Sequence, residues 1–172
     1  MEKLGFFGGC FNPVTNAHIS LIKDAIEKEK LSKVYFVPMG DLYYKDDLIP
    51  VKHRIEMLNL AIKDERKMDI LEISNKNSKM SAIDSFRIID QKFHNCERFF
   101  IMGSDNYKKI TTWKESEELL HNYKYIVLDR ENGNAKDISA SLVREKIKCN
   151  EISNNLIPLQ VLQYIKNNNL YR

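Results

Sequence analysis

The chain has little cysteine, no strong net charge and no long apolar run, and each shortage excludes a class of protein. Its three cysteines, Cys10, Cys96 and Cys149, are odd in number and far apart. That spacing gives neither a disulfide framework nor a zinc pattern, and it fits a reducing compartment, so the expected location is the cytoplasm. Lysine and arginine number 27 against 24 acidic residues, a formal net charge of +3. So mild a balance gives no footing for nucleic acid or a membrane surface as partner, though it suits small anionic substrates. No apolar stretch approaches the roughly 20 residues that span a bilayer, and neither a membrane span nor a signal peptide is expected. There is no internal repeat.

What is present is an alternation of short apolar runs with helical periodicity. With 172 residues, 43% of them apolar and 30% charged, the chain is expected to fold as one domain, 1–172, with a substantial core. Residues 1–7 read as a buried strand ended by Gly8 and Gly9, and 19–26 as an amphipathic helical run. Residues 33–38, 68–73, 98–102 and 123–128 read as four further strands. Helices are expected over 51–62, 81–93 and 113–120, with a short one after Gly103 and closing helices over 139–148 and 158–168. Strands separated by helices need parallel crossovers, so the fold class is α/β, a doubly wound parallel sheet with a C-terminal helical segment. Ligands of such sheets bind beyond the carboxyl ends of the strands, which puts the loops after Phe7, Pro38, Met102 and Leu128 on one rim.

The most informative stretch is 8–18, GGCFNPVTNAH. A strand, a glycine pair, a polar loop and a helix start, in that order, make a site for an anion. The first helical N–H groups lack partners and the positive end of the dipole lies there. Glycine lets a bulky ligand approach the backbone, and His18, just inside the helix, would aim its ring at a phosphate. A plain tight turn would use two glycines equally well. The string is neither a P-loop nor the dinucleotide fingerprint, since it lacks the Lys-Ser/Thr pair and the third glycine. Residues 137–144, DISASLVR, offer a second such place: serines at a helix start cap it and present hydroxyls, with Arg144 about a turn and a half further on.

Together the two strings resemble the nucleotidyltransferase superfamily that carries the (His/Thr)-x-Gly-His motif. The first is similar to GGxFDPxHxGH, with Asn12 where Asp is common, Thr15 where the first His often stands and Ala17 where Gly is usual. The Ala17 methyl would lie where the nucleotide packs closely. The second is similar to ISSTxxR, and it follows the last main strand as that motif does. Three more stretches resemble the bacterial nicotinate mononucleotide adenylyltransferases. Met102-Gly103-Ser104-Asp105-Asn106 followed by Trp113 is similar to GADN…W. Lys45 with His53-Arg54 and Met57-Leu58 is similar to PPHK…HRxxML, without its prolines and first His. Residues 158–171 (PLQVLQYIKNNNLY) are similar to the family's ending, so the resemblance spans almost the whole chain.

The resemblance implies a Rossmann-like nucleotidyltransferase that moves the adenylyl group of ATP onto nicotinate mononucleotide, giving deamido-NAD and pyrophosphate. It implies His18, Arg144 and Thr15 as catalytic residues. ATP would be held by Gly8, Gly9, Cys10, Phe11, Thr15, His18, Gly103, Asp105, Ile138, Ser139, Ser141 and Arg144. The mononucleotide would be held by Asn12, Lys45, Ser81, Ala82, Asn106, Tyr107 and Trp113. Mg2+ would arrive with ATP, largely water-coordinated, and no protein metal site is expected. The implied partners are ATP and a pyridine mononucleotide, without nucleic acid or membrane; a homodimer is compatible.

Family members carry Tyr-Thr-x-Asp-Thr at the third helix, and its first Thr contacts the nicotinate carboxylate. The match here, Ser81-Ala82-Ile83-Asp84-Ser85, puts Ala82 at that Thr unless a one-residue shift brings in Ser81. The acceptor is therefore open between the acid and the amide mononucleotide, with phosphopantetheine as a second acceptor class. A nucleotide-binding regulatory protein that has lost catalysis is the reading of a different class, suggested by Thr15, Ala17 and Ala82. Plain structural roles compete at several positions: Trp113 as a core aromatic, Asp105 as cap of the short helix, Arg54 paired with Glu56 or Asp46 on a solvated face, and His53 as a helix-packing residue.

Overall fold

The computed structural model describes residues 1–42, 47–73, 79–129, 139–152 and 155–172. Apolar runs of strand length alternate with helical ones: β1 (Lys3–Gly9), α1 (Asn16–Glu29), β2 (Lys33–Pro38), α2 (Val51–Ile62), β3 (Met68–Ile70), α3 (Ala82–Lys92), β4 (Glu97–Gly103) and α4 (Ser104–Lys108). A 3-10 turn (Ile110–Thr112), α5 (Ser116–Asn122), β5 (Lys124–Leu128), α6 (Ala140–Lys148) and α7 (Leu159–Asn167) follow. The strands form one parallel sheet in the order β3-β2-β1-β4-β5. Winding runs one way from β1 to β3 and the other way from β4 to β5, so the sheet has a topological switch point between β1 and β4. Among the described residues no helix is long and apolar enough to cross a membrane.

Strand side chains alternate between faces, and helices cover both. Leu4 and Phe6 of β1 and Phe100 and Met102 of β4 pack with Ile83, Phe86 and Ile89 of α3 and Leu119 of α5. Phe7 and Ile101 belong to the other core, with Ile22 of α1, Met57 and Leu58 of α2, Val143 of α6 and Leu162 of α7. Gly5 marks the tightest approach in the sheet. A Cβ there would lie 2.7 Å from Ile101 Cδ1 and 3.0 Å from Val34 Cγ2.

Of the boundaries that differ from those the pattern predicts, three have a clear backbone reason. Gly8 and Gly9 do not end β1; they continue the ladder opposite Val37 and Pro38, because pairing uses the backbone and asks nothing of a side chain. β3 stops at Ile70 rather than 73, since its ladder on β2 covers only Val34, Tyr35 and Phe36. Trp113 does not open a helix. It ends the 3-10 turn in extended backbone, Glu115 takes a left-handed φ of 54°, and α5 begins only after it.

Candidate active site

Beyond Gly9 the chain turns sharply. Phe11 takes a left-handed φ of 49° and the Asn12–Pro13 peptide is cis. The Phe11 ring folds back over Gly9, where a Cβ would come within 3.0 Å of it, so any larger residue would have to push the ring aside. Thr15 then caps α1. Its Oγ1 accepts from the His18 N–H at 3.4 Å, and His18 Nδ1 accepts from the Thr15 N–H at 2.9 Å, a reciprocal capping box with histidine in the place usual for Glu or Gln. A backbone N–H only donates, so Nδ1 carries no proton and the hydrogen-bond network assigns the neutral Nε2–H tautomer. The imidazole stands edge-on to Phe11, with ring centroids 5.4 Å apart. Its orientation is thus fixed by the backbone that it caps.

A cavity of about 520 Å³ opens at the switch point, where the ends of β1 and β4 diverge. Gly8, Gly9 and Gly103 form its floor, and His18 and Leu21 of α1, the start of α4, and Ser139, Ala140, Ser141 and Arg144 of α6 form its walls. Ser139 caps α6, its Oγ accepting from the Leu142 N–H at 3.1 Å. Arg144 Nη1 donates to the Asn12 carbonyl at 2.8 Å and Nη2 to Ser141 Oγ at 3.3 Å. The starts of α1 and α6, an imidazole and a guanidinium on one cavity make a site for a polyanion. A Cβ on Gly103 would meet no protein atom within 4 Å, so the backbone there is open to a ligand.

The cavity brings together Gly8, Gly9, Cys10, Phe11, Asn12, His18, Gly103, Asp105, Asn106, Ser139, Ser141 and Arg144 of the predicted site. Thr15 is fully buried behind His18 and does not line it; in this structure it caps α1 and orients His18. Tyr107 is exposed beside the cavity, with its ring 5.5 Å from that of Tyr125. Ser81, Ala82 and Trp113 stand apart from the cavity lining. Ser81 caps α3 and donates its hydroxyl to the Asp84 carboxylate at 2.5 Å, which holds Asp84 below the usual carboxylate range. Lys114, 3.9 Å from Asp84, brings the turn carrying Trp113 to the start of α3, and Trp113 packs against the α3 core. Lys45 and Ile138 lie outside the described residues.

Several expectations change. Asp105 caps nothing: Gly103 occupies the N-cap of α4 and the Asp105 carboxylate is exposed at the cavity. Ala17 is buried and does not line the cavity, so its methyl does not intrude on that space. Arg54 is not on a solvated face; it is fully buried. Its Nε donates to the Ile49 carbonyl at 2.9 Å and its Nη1 to the Cys10 carbonyl at 2.8 Å, with Asp41 3.5 Å from Nη2. Burial lowers its pKa, and the Cys10 and Asp41 charges oppose that shift. A guanidinium fork suits loop carbonyls that no ladder satisfies, which is why it lies under the loop rather than in water. His53 does pack between helices, its Nδ1 2.8 Å from the Tyr164 hydroxyl. Tyr171, whose hydroxyl donates to Asn12 Oδ1 at 2.8 Å, has no local signal, for its partner is 159 residues away.

Over nearly its whole length the chain is similar to known proteins. A family model described as cytidylyltransferase-like matches residues 6–146. A protein of Clostridium acetobutylicum named probable nicotinate-nucleotide adenylyltransferase is 30% identical over 99% of this chain and 100% of its own length. One of the same name from Carboxydothermus hydrogenoformans is 32% identical over 99% of this chain and 98% of its own. Among solved structures, the nicotinic acid mononucleotide adenylyltransferase of Plasmodium falciparum complexed with NaAD superposes with a TM-score of 0.83 at 18% identity. That superposition covers 99% of this chain and 98% of the other.

Proposed function

The chain belongs to the cytidylyltransferase-like family and, within it, to the nicotinate-nucleotide adenylyltransferases, and from that premise we propose that the cavity between β1 and β4 holds the triphosphate of ATP. The protein is a nucleotidyltransferase that transfers the adenylyl group of ATP to nicotinate mononucleotide in NAD biosynthesis. The observation that carries the assignment of the site is the convergence of His18 and Arg144 on one cavity at the switch point. A phosphate monoester is already anionic at neutral pH, so its oxygen attacks the α-phosphorus without a general base. A P–O bond forms to the acceptor as the bond from α-phosphorus to the bridging oxygen breaks, and pyrophosphate leaves with that electron pair. Rate then comes from holding the two in line and stabilising charge on the transferring group.

In this reading His18 donates its Nε2–H to a phosphate oxygen near the breaking bond. Arg144 spans the outgoing phosphates with the guanidinium N–H groups that Asn12 and Ser141 leave over. The starts of α1 and α6 add partial positive charge, and Gly103 leaves room for the nucleotide. Among the described residues no three His, Cys, Asp or Glu side chains gather into a metal cage. Mg2+ is read as part of the nucleotide substrate, held by phosphate and water. The three cysteines suit the reducing cytoplasm.

The acceptor is tested by kcat/KM for nicotinate mononucleotide, nicotinamide mononucleotide and phosphopantetheine, in wild type and in Ala82→Thr. Nicotinate mononucleotide is expected to lead, helped by backbone N–H groups near Asn106 and Tyr107. Ala82 offers no hydroxyl, and a hydrogen bond to a charged group is worth about 1.5–3 kcal/mol, roughly one to two powers of ten. Ala82→Thr should therefore widen the margin over the amide. Preference for the amide or for phosphopantetheine would overturn the acceptor. Pyrophosphate release with none of them would favour a nucleotide-binding regulator.

A further inference from the structure

The residue at the centre of the loop after β1 is Asn12, which is nearly buried and bonded in four directions. Its Oδ1 accepts from the Tyr171 hydroxyl at 2.8 Å and from the Ile49 N–H at 3.4 Å, and its Nδ2 donates to the Asp47 carbonyl at 2.9 Å. Its own carbonyl is the seat of Arg144 Nη1 at 2.8 Å. An aspartate could accept here but could not also donate to Asp47, so the amide fits this chain's surroundings rather than being a weakened carboxylate. Tyr171 reaches Asn12 from beyond α7 at some conformational cost, for its φ of 61° is left-handed, an outlier for a bulky residue. Its ring is buried all the same. Burial holds its phenol neutral, with Arg144 and Arg54 near enough to pull the other way.

We propose that Tyr171 is a positioning residue for adenylyl transfer: through Asn12 it fixes the carbonyl on which Arg144 rests, and so sets the guanidinium for the triphosphate of ATP. The inference rests on the adenylyl-transfer reading above. Tyr171 does not line the cavity and touches no nucleotide; it acts at second hand. The same Asn12 amide ties the 47–49 segment to this post. A Tyr171→Phe change removes one hydroxyl and leaves the ring to fill its place.

The test is a double-mutant cycle read as kcat/KM for ATP with saturating nicotinate mononucleotide, in wild type, Tyr171→Phe, Arg144→Ala and the double variant. Tyr171→Phe is expected to lower kcat/KM about fivefold, the size of one neutral hydrogen bond, mainly through KM. In the Arg144→Ala background the same change should have no further effect, because the group that it positions is gone. A Tyr171→Phe enzyme with wild-type kcat/KM overturns the proposal. An equal fivefold loss in both backgrounds overturns it too, and marks Tyr171 as a residue of general packing. Should Tyr171→Phe not yield folded protein, Tyr171→Met, which fills the same buried place without a hydroxyl, replaces it in the same cycle with the same expectations. A wild-type protein that turns over no ATP would instead contradict the functional reading and remove the basis of this one.

Discussion

In the proposed mechanism His18 serves the fold and the reaction with opposite sides of one ring. Nδ1 satisfies the Thr15 N–H, and the proton this forces onto Nε2 is the one the proposed mechanism uses. His18→Ala should lower kcat by about 10²–10³, the usual loss for one charge-stabilising donor. It should also cost about 0.5–2 kcal/mol in urea unfolding, since half of a capping box goes with it. Full stability with lost turnover would mean that the cap is idle; unchanged turnover would remove His18 from the site. At this scale the sequence was most legible where residues act on near neighbours. The strings 8–18 and 139–144 supplied most of the cavity wall by themselves. Arg54 and Tyr171 were not legible, because their partners at Cys10 and Asn12 lie 44 and 159 residues away. A basic residue on an amphipathic helix gives no sign that loop carbonyls will draw it inward.

The helices and strands with strong periodicity, 33–38 and 51–62, have the limits that their patterns predict. Where boundaries moved, a backbone event outweighed the pattern. The left-handed Glu115 separates Trp113 from α5, and nothing in a run of helix-forming residues announces such a break. At β1 the glycines were read as a stop, yet a parallel ladder needs only their backbone. Gly5 has the opposite character, a glycine demanded by packing. Its missing side chain lets Ile101, Val34 and Leu31 close over the strand. Gly5→Ala should destabilise by about 1–3 kcal/mol, the common cost of forcing a methyl into a filled core, read as a lower urea midpoint at constant m. An unchanged midpoint would show that the sheet and α1 side can part without penalty.

For the molecule as a whole, the alternation of elements was enough to predict a parallel sheet and a single rim of loops. The strand order was not readable, because crossovers of this length allow many orders, and only the pairing of β1 with both β2 and β4 locates the switch point. Global stability should carry an alkaline signature. Burial raises the Tyr171 and Tyr125 phenols above their ordinary value, so the folded chain keeps protons that the unfolded chain sheds above about pH 10. Their contribution is intact below that pH and is lost as pH rises toward the folded values. Unfolding free energy should therefore fall from pH 9 to 11, and less steeply in Tyr171→Phe; equal slopes would contradict it. The central claim is that this cavity passes the α-phosphoryl of ATP to the mononucleotide. ATP labelled at the α-phosphorus, incubated with the protein, Mg2+ and nicotinate mononucleotide, tests it most directly. The account predicts label in the dinucleotide and none in pyrophosphate, with transfer nearly abolished in His18→Ala; label that stays in ATP, or transfer undiminished in that variant, would contradict it.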